Sequence, residues 1–99
     1  MVSLVEPEPK GNVEYIMSWY IYILICRDRS YYVGITNNIV RRVNFHNSGK
    51  GSKYLLSKLP VRLIYSEKHI NKSEARKREI QLKGWTRVKK EKLIKGLFN

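Results

Sequence analysis

An uninterrupted apolar run at residues 19–26 limits the folds open to this chain more than any other feature. Its β-branched and aromatic side chains, WYIYILIC, predict a β-strand. Because both faces of that strand are apolar, we expect it to lie at the centre of a sheet. The eight residues of the run are far fewer than the roughly 20 that a membrane-spanning helix requires, so we expect no membrane association.

A second strand follows after a short turn, which predicts a β-hairpin. Residues 27–30 (RDRS) are polar, and residues 31–35 (YYVGI) return to the strand pattern. If the loop holds three residues, Asp28 to Ser30, the even positions of both strands share one face of the sheet. Tyr22, Tyr32 and Gly34 would then lie on the same side, although a loop changed by one residue would reverse this.

A helix is predicted directly after the hairpin. The TNN string at residues 36–38 offers side chains that can cap its start, and we expect the helix to continue to about residue 47. Ile39 and Val43 supply its buried stripe. Arg42 and His46 lie four positions apart, so they project from the same face of the helix.

The remaining segments complete a small mixed domain. They are a loop at 49–52, a third strand at 61–65, a helix capped by Ser73 that runs to Lys83, and a helix capped by Thr86 that covers about residues 87–95; Gly84 and Gly96 stop the two helices. The order β-β-α-β-α-α predicts an α+β fold, in which helices flank a small three-stranded antiparallel sheet. We place this domain at residues 18–99. Pro7, Pro9 and Gly11 indicate a flexible N-terminal tail at residues 1–17.

The charge of the chain is strongly positive and unevenly placed. It is +12 overall, yet residues 1–18 hold three acidic residues and one lysine, and residues 19–99 hold 19 basic against five acidic residues. We therefore expect a nucleic-acid partner rather than a merely solubilising surface. The single cysteine, Cys26, cannot form a disulfide within the chain and no signal peptide is visible, which predicts a cytoplasmic location.

Residues of the types that phosphodiester hydrolysis uses occur in a recognisable order. They are the strings YIY at 20–22 and YVG at 32–34, followed by Arg42, His46 and Glu79. In this order and spacing they resemble the GIY-YIG nuclease superfamily, and more closely its small stand-alone bacterial subgroup, catalogued as an uncharacterised family. The resemblance covers about residues 19–90. It departs from the superfamily motif where Tyr20 replaces the glycine, a change that the subgroup tolerates.

The resemblance implies a role for each of these residues in a metal-dependent endonuclease. Tyr22 corresponds to the tyrosine that acts as general base or positions the attacking water, and Tyr32 to one that helps orient water and phosphate. Arg42 corresponds to the arginine that holds the scissile phosphate. His46 corresponds to a residue that assists the leaving group or hydrogen-bonds the first tyrosine. Glu79 corresponds to the glutamate that binds one divalent metal ion, Mg²⁺ or Mn²⁺.

These residue types also suit the chemistry on physical grounds. Hydrolysis concentrates negative charge on the phosphate, which a metal ion and a bidentate arginine such as Arg42 stabilise. One carboxylate is enough for Mg²⁺, because that ion keeps several waters. A tyrosine pKa of about 10 is too high for a base at neutral pH, so we expect Arg41, Arg42 and the metal to lower the pKa of Tyr22. The resemblance also implies that Gly34 allows a close approach of the backbone to its neighbours.

Each of these residues, taken alone, also has a structural explanation. Tyrosines in a β-rich chain more often pack than act as bases, and a single helix arginine or histidine more often lies on the surface. Glu79 can pair with Lys83 at the i+4 position. His69 shows no partner, so we expect an ordinary surface residue, and two histidines with one cysteine make no zinc site. The ordered combination favours the catalytic interpretation.

Further basic residues are expected to contact the nucleic-acid backbone without reading its sequence. The candidates are Arg41, Lys50, Lys53, Arg76 and Lys77. Two other functions stay open: a basic module that binds DNA or RNA without cleaving it, and, as a weaker alternative, a protein-interaction adaptor. DNA is the expected substrate, structured or damaged, and a protein partner is expected to supply the choice of target.

Overall fold

The described part of the chain forms three strands, three α-helices and one short 3₁₀ helix. The computed structural model describes residues 18–97, so the predicted tail and the last two residues of the predicted domain lie outside the described residues. The elements are β1 (Trp19–Ile25), β2 (Tyr31–Thr36), α1 (Ile39–Asn47), the 3₁₀ helix (Lys53–Lys58), β3 (Arg62–His69), α2 (Lys72–Lys83) and α3 (Arg87–Ile94). This order confirms the predicted α+β fold. Within residues 18–97, no helix is long and apolar enough to cross a bilayer.

The apolar run forms β1, the central strand of the sheet. The strand order is β2-β1-β3, and both pairs of neighbours are antiparallel. In the hairpin, Tyr22 lies opposite Gly34 and Leu24 lies opposite Tyr32. Residues that oppose each other share a face of the sheet. The prediction that Tyr22, Tyr32 and Gly34 lie on one side is therefore confirmed.

The hairpin loop lies one residue earlier than predicted. The backbone N–H of Cys26 donates to the carbonyl of Ser30 at 2.9 Å, which leaves residues 27–29 as the loop. Arg29 takes a positive φ of 74°, the conformation that ends a common type of three-residue hairpin loop. The predicted and observed loops have the same length, so the assignment of faces is unaffected.

The odd-numbered face of the hairpin packs against α2 and α3. Ile21, Ile23 and Val33 form its buried centre together with Leu82 of α2 and Leu93 of α3. Burying an aliphatic side chain of this size stabilises a fold by about 1.5–3 kcal/mol. This cluster therefore fixes α2 relative to the sheet, and α2 carries Glu79.

The even-numbered face packs against α1 and the 3₁₀ helix. Its buried cluster comprises Tyr22, Leu24, Cys26, Leu55 and Val61, and Val43 of α1 packs against it. The burial of Cys26 at 4% exposure agrees with a small apolar side chain rather than an exposed thiol. Helices therefore cover both faces of the central strand, as its apolar character predicts.

Side-chain caps define the starts of the three helices. Asn38, the last of the three predicted candidates, caps α1, and Thr86 caps α3 as predicted; the bonds come from the backbone N–H groups of Arg41 and Lys89. The predicted cap of α2 is wrong. Asn71, not Ser73, accepts the bond from the N–H of Glu74 at 2.9 Å, and the helix begins at Lys72. Asparagine is as good a cap as serine, so composition alone did not separate the two.

Two segments differ from the prediction in extent. The 3₁₀ helix over Lys53–Lys58 was not predicted, because six residues are too few to show a helical period and Leu55 is its single buried residue. The third strand runs over Arg62–His69 instead of ending at residue 65. Its last residues pair with the start of β1, where Trp19 opposes His69, but their polar side chains give no strand signal.

One partly buried carboxylate ties β3 to α2. Glu67 accepts hydrogen bonds from Tyr65 and, through two nitrogens, from Arg78, the shorter at 2.8 Å. His69 lies 3.0 Å from the same carboxylate, so its predicted lack of a partner is wrong. The bonds from Arg78, Tyr65 and His69 outweigh burial and lower the pKa of Glu67 to about 2. Arg78 is consequently a structural residue and not a free phosphate contact.

Glu67→Gln is expected to reduce the free energy of unfolding by about 2–3 kcal/mol at neutral pH. The pKa of Glu67 is about 2 in the fold and near its ordinary 4.5 when unfolded, so its contribution is complete above pH 5 and is lost as pH falls towards 2. Wild type and variant should therefore converge in stability at low pH. Urea unfolding from pH 7 to pH 2 measures this.

Glu74→Gln is the matched control, since Glu74 is an exposed carboxylate of α2 that pairs with Lys77. It should change stability by less than about 0.5 kcal/mol at any pH. If the free energies of unfolding of wild type and Glu67→Gln differed by the same amount across this pH range, the lowered pKa of Glu67 would be contradicted.

Candidate active site

An open cleft beside the edge strand β2 collects most of the predicted catalytic residues. Its volume is about 410 Å³. Its lining includes Tyr22, Tyr32, Gly34, Ile35, Arg42, Arg76, Glu79, Ile80 and Lys83. These residues come from β1, β2, α1 and α2, so the fold brings together groups that lie far apart in sequence. The fifth predicted residue, His46, lies behind the cleft and contacts Tyr22.

Gly34 creates the path by which Tyr22 reaches the cleft. The two residues are directly opposed in the hairpin, and the Tyr22 ring lies across the face of Gly34. A Cβ atom at position 34 would lie 2.5 Å from the Tyr22 hydroxyl oxygen and 2.6 Å from the ring carbon that bears it. Only glycine leaves room for this crossing, which agrees with the predicted close approach at Gly34.

The Tyr22 hydroxyl bonds to two residues of α1. His46 Nε2 lies 3.1 Å from the hydroxyl oxygen, and the guanidinium of Arg42 also donates to it. Arg42 and His46 are one turn apart on α1, so a single helix face presents both, as the sequence predicts. The Tyr22 oxygen is therefore in contact with both a guanidinium cation and an imidazole.

His46 is buried, and one of its nitrogens lacks a partner. The side chain is 4% exposed, and no hydrogen-bonding group of residues 18–97 reaches Nδ1. Gly51 lies against this nitrogen so closely that a side chain at position 51 could not fit. The loop after α1 thus closes over the histidine. Burial and the nearby Arg42 both lower the pKa of His46, so the imidazole is neutral at pH 7.

The expectation of a lowered pKa for Tyr22 is wrong for the polypeptide by itself. Burial is the largest influence, and together with Tyr32 it raises the pKa of the Tyr22 hydroxyl well above its ordinary value of about 10. Arg42 acts in the opposite direction but is outweighed, and Glu79 raises the pKa further. Tyr22 is therefore a neutral phenol at pH 7.

Glu79 supplies the carboxylate of the cleft. Its side chain is 13% exposed and forms ion pairs with Lys83 at 3.2 Å and with Arg76 at 3.7 Å. The other acidic residues between 18 and 97 do not line the cleft. Within the same range, no three acidic, imidazole or thiol groups converge on one point. A metal here would be held through one carboxylate.

Tyr32 connects the cleft to an exposed aromatic ring. Its ring centroid lies 5.5 Å from that of His46 and 6.4 Å from that of Tyr22. On the outer side it stacks with Tyr54 of the 3₁₀ helix at 6.2 Å. Tyr54 is 56% exposed and was not among the predicted site residues, because the 3₁₀ helix that positions it was not predicted.

The predicted phosphate contacts fall into three groups. Arg76 lines the cleft, while Arg41 and Lys50 line an adjoining groove that shares Arg42 with it. Lys53 is exposed at the start of the 3₁₀ helix, and Lys77 pairs with Glu74 at 3.3 Å. Neither of these last two lines the cleft or that groove.

Lys83 is a basic residue of the cleft that the sequence predicts only as an ion-pair partner of Glu79. Lys83 follows Glu79 by four positions and Arg76 precedes it by three, so all three share a face of α2. That spacing is visible in the sequence and could have placed Lys83 at the site.

Comparison with known proteins identifies the family of this chain. Residues 18–92 match the family model of the GIY-YIG catalytic domain. A UPF0213 protein of Streptococcus pneumoniae serotype 4 is 48% identical over 75 residues, which are 76% of each chain.

Two solution NMR structures are similar in both sequence and fold. A UPF0213 protein from Bacillus halodurans is 42% identical, with a TM-score of 0.53 over 80% of this chain and 84% of that one. A protein from E. faecalis is 43% identical, with a TM-score of 0.57 over 81% of this chain and 85% of that one. The catalytic-domain match indicates nuclease activity in general. The chain belongs to the GIY-YIG family and, within it, to the small stand-alone bacterial proteins named UPF0213.

Proposed function

We propose that this protein is a metal-dependent endonuclease that hydrolyses phosphodiester bonds of DNA. The observation that carries the proposal is the single cleft that joins Tyr22, Arg42 and Glu79, with His46 bonded to Tyr22 from behind. A candidate base, a guanidinium and a carboxylate around one opening are the groups that this reaction uses. The net charge of +12 supports a polyanionic substrate.

Arg42 is positioned to bind the scissile phosphate. Its side chain lines the cleft and also donates to the Tyr22 hydroxyl, so a phosphate held by the guanidinium lies next to that hydroxyl. A planar guanidinium can bond two phosphate oxygens at once. It thereby stabilises the charge that builds up in the transition state, an effect commonly worth about 10²- to 10³-fold in rate for one such donor.

His46 and Arg42 together prepare the Tyr22 oxygen to act as a base. We assign the proton of His46 to Nε2, because an unpaired acceptor at the buried Nδ1 costs less than an unpaired N–H donor. His46 and Arg42 then both donate to the Tyr22 oxygen. Two donors favour the deprotonated oxygen and oppose the effect of burial. In the proposed reaction, Tyr22 releases its proton to solvent through the open cleft, and the resulting phenolate accepts a proton from the attacking water.

Glu79 is the residue that would hold a divalent cation, and its surroundings fit this role. Its two ion-pair partners, Arg76 and Lys83, are 62% and 56% exposed, so both can turn away from the carboxylate. Once released, they face the cleft as phosphate contacts. Water and substrate oxygens would complete the coordination, as Mg²⁺ prefers. When bound, Mg²⁺ or Mn²⁺ stabilises the developing phosphate charge as a Lewis acid.

Glu79→Gln is expected to lower metal-dependent cleavage at least 100-fold while the protein stays folded. The amide keeps the size of the side chain but removes the negative charge that attracts the cation. The measurement is the cleavage of labelled duplex, nicked, branched and single-stranded DNA, and of RNA, with Mg²⁺ or Mn²⁺ and with EDTA.

Glu74→Gln serves again as the control, since it removes an exposed carboxylate from the same helix without touching the cleft. It should cleave like wild type. Equal, metal-independent cleavage by wild type and Glu79→Gln would refute the proposed metal site and point to a contaminating nuclease.

A second candidate function is a basic module that binds nucleic acid without cleaving it. The observation that favours it is the pair of cations on Glu79, which competes with a metal ion for the single carboxylate. This function predicts tight, salt-sensitive binding by wild type and Glu79→Gln alike, with no product from any substrate. The cleavage panel separates the two functions.

A further inference from the structure

A second groove adjoins the cleft on the other side of Arg42. Its volume is about 570 Å³, and it is formed by the loop between β2 and α1, by one face of α1, and by Lys50. Arg42 lines both the groove and the cleft, so a strand bound at the scissile phosphate has a continuous path from one to the other. None of the acidic residues between 18 and 97 lines the groove.

Four of the polar side chains that line this groove are available to a ligand, whereas those of Thr36, Asn38 and Ser48 bond to the backbone. Within residues 18–97, the side chains of Asn37, Arg41, Asn44 and Lys50 have no hydrogen-bond or ion-pair partner. Elsewhere on the surface, basic residues such as Lys58 and Arg87 are held by carboxylates. The groove therefore combines unused positive charge with unused amides. Phosphates accept hydrogen bonds from the basic side chains, and base edges can both donate hydrogen bonds to the amides and accept them.

Phe45 adds an unpaired aromatic ring to the same groove. Its side chain is 46% exposed, and no other ring of residues 18–97 stacks on it. An exposed aromatic ring beside basic residues is the arrangement that stacks on unpaired bases of single strands. In duplex DNA the bases present edges rather than faces, so such a ring has no equivalent role there.

We propose that this groove binds an unpaired stretch of the substrate strand next to the scissile phosphate, with one base stacked on Phe45. The inference rests on the proposed nuclease function and narrows its substrate to DNA with a single-stranded region, such as a branch, flap or gap. Arg41 and Lys50 contact the phosphates of that stretch. The shape of the site supports this, because a concave groove admits a strand, whereas reading a duplex through the major groove needs a protruding helix.

The test measures binding separately from cleavage. Fluorescence anisotropy in EDTA compares a blunt duplex with the same duplex that carries a short unpaired tail, for wild type, Phe45→Ala and Val40→Ala. Phe45→Ala is expected to weaken binding of the tailed DNA roughly 5- to 100-fold and leave the blunt duplex unchanged. Val40, an exposed apolar residue of the same helix outside this groove, is the control, and its variant should bind both DNAs like wild type.

Arg41→Gln supplies a second readout, since it should weaken binding of the tailed DNA. It should also reduce the slope of the logarithm of the binding constant against the logarithm of the salt concentration by about one. The stacking itself is observable through 2-aminopurine in the tail, whose fluorescence should be quenched by wild type and not by Phe45→Ala.

Two results would overturn the inference. Either wild type and Phe45→Ala bind the tailed DNA equally well, or Phe45→Ala loses the same factor in affinity for the tailed and the blunt DNA. If the expected binding pattern appears but no DNA is cleaved when metal is added, the groove is upheld and the proposed nuclease function fails. The two conclusions are therefore tested independently.

Discussion

Tyr22→Phe is expected to lower the rate of cleavage by about 10²- to 10⁴-fold, the usual contribution of a general base. The substitution keeps the ring that packs in the even-face cluster and removes the oxygen that bonds to His46 and Arg42. Arg42 is left to bind the phosphate, so DNA affinity should change by less than about threefold. Single-turnover cleavage and anisotropy binding, measured side by side, separate the two effects.

The pH dependence gives this prediction its sharpest form. Because the pKa of Tyr22 lies above 10, the deprotonated fraction is small at neutral pH and rises with each unit of pH. The wild-type rate should therefore increase with pH between about 6 and 9, and the residual rate of Tyr22→Phe should not. Tyr32→Phe is the matched control, because Tyr32 is a neighbouring tyrosine of the cleft whose hydroxyl does not bond to His46. The cleavage rate of this variant should rise with pH as steeply as that of wild type.

The stability cost of Tyr22→Phe is expected to be modest. Removing the hydroxyl leaves both nitrogens of the buried His46 without a partner in the described part of the chain, which should lower the free energy of unfolding by about 1–2 kcal/mol. Thermal unfolding followed by circular dichroism checks that the variant is folded at the assay temperature. A folded variant that cleaves at more than a tenth of the wild-type rate would rule out Tyr22 as the base.

The fold was predictable where local sequence and packing agree. Strand β1 is apolar on both sides because helices cover both of its faces. The length of the short hairpin loop determines which residues of the two hairpin strands share a face. The loop length therefore predicted, without knowledge of any tertiary contact, that Tyr22, Tyr32 and Gly34 lie on one face of the sheet. The helix period then placed Arg42 and His46 together on α1.

The features that were not predicted depend on contacts between distant segments. The 3₁₀ helix that carries Tyr54 has no period of its own and is held by the burial of Leu55. His69 lies beside Glu67 because β3 extends along β1, and the same extension places Glu67 against Arg78 on α2. Such pairings join positions whose separation in sequence carries no periodic signal.

The pKa of Tyr22 in the polypeptide by itself was mispredicted for a related reason. The basic residues beside it are visible in the sequence, whereas its burial and the approach of Tyr32 and Glu79 exist only in the folded chain. Desolvation opposes the charged form of a phenol, and here it exceeds the attraction of one guanidinium. Charge composition alone therefore gave the wrong direction.

Gly34→Ala is expected to disable the site through a single methyl group. The added Cβ would lie 2.5 Å from the Tyr22 hydroxyl oxygen, and neither the β2 backbone nor the buried Tyr22 ring can move freely. The ring must shift, which breaks its bond to His46 and displaces the hydroxyl from Arg42. A displacement of about 1 Å commonly costs 10²-fold in rate, and overpacking a buried site costs about 1–3 kcal/mol.

Gly84→Ala tests whether any glycine substitution would have the same effect. A Cβ at position 84 would make an ordinary contact of 3.5 Å with the carbonyl of Gln81, and φ at Gly84 is −84°, which suits alanine. We expect Gly84→Ala to match wild type in cleavage and to equal or slightly exceed it in stability. Gly34→Ala should instead lose at least 100-fold in cleavage and melt several degrees lower. If Gly34→Ala cleaved like Gly84→Ala, the Tyr22 hydroxyl would not need its position over Gly34, and the assignment of Tyr22 as the base would fail with it.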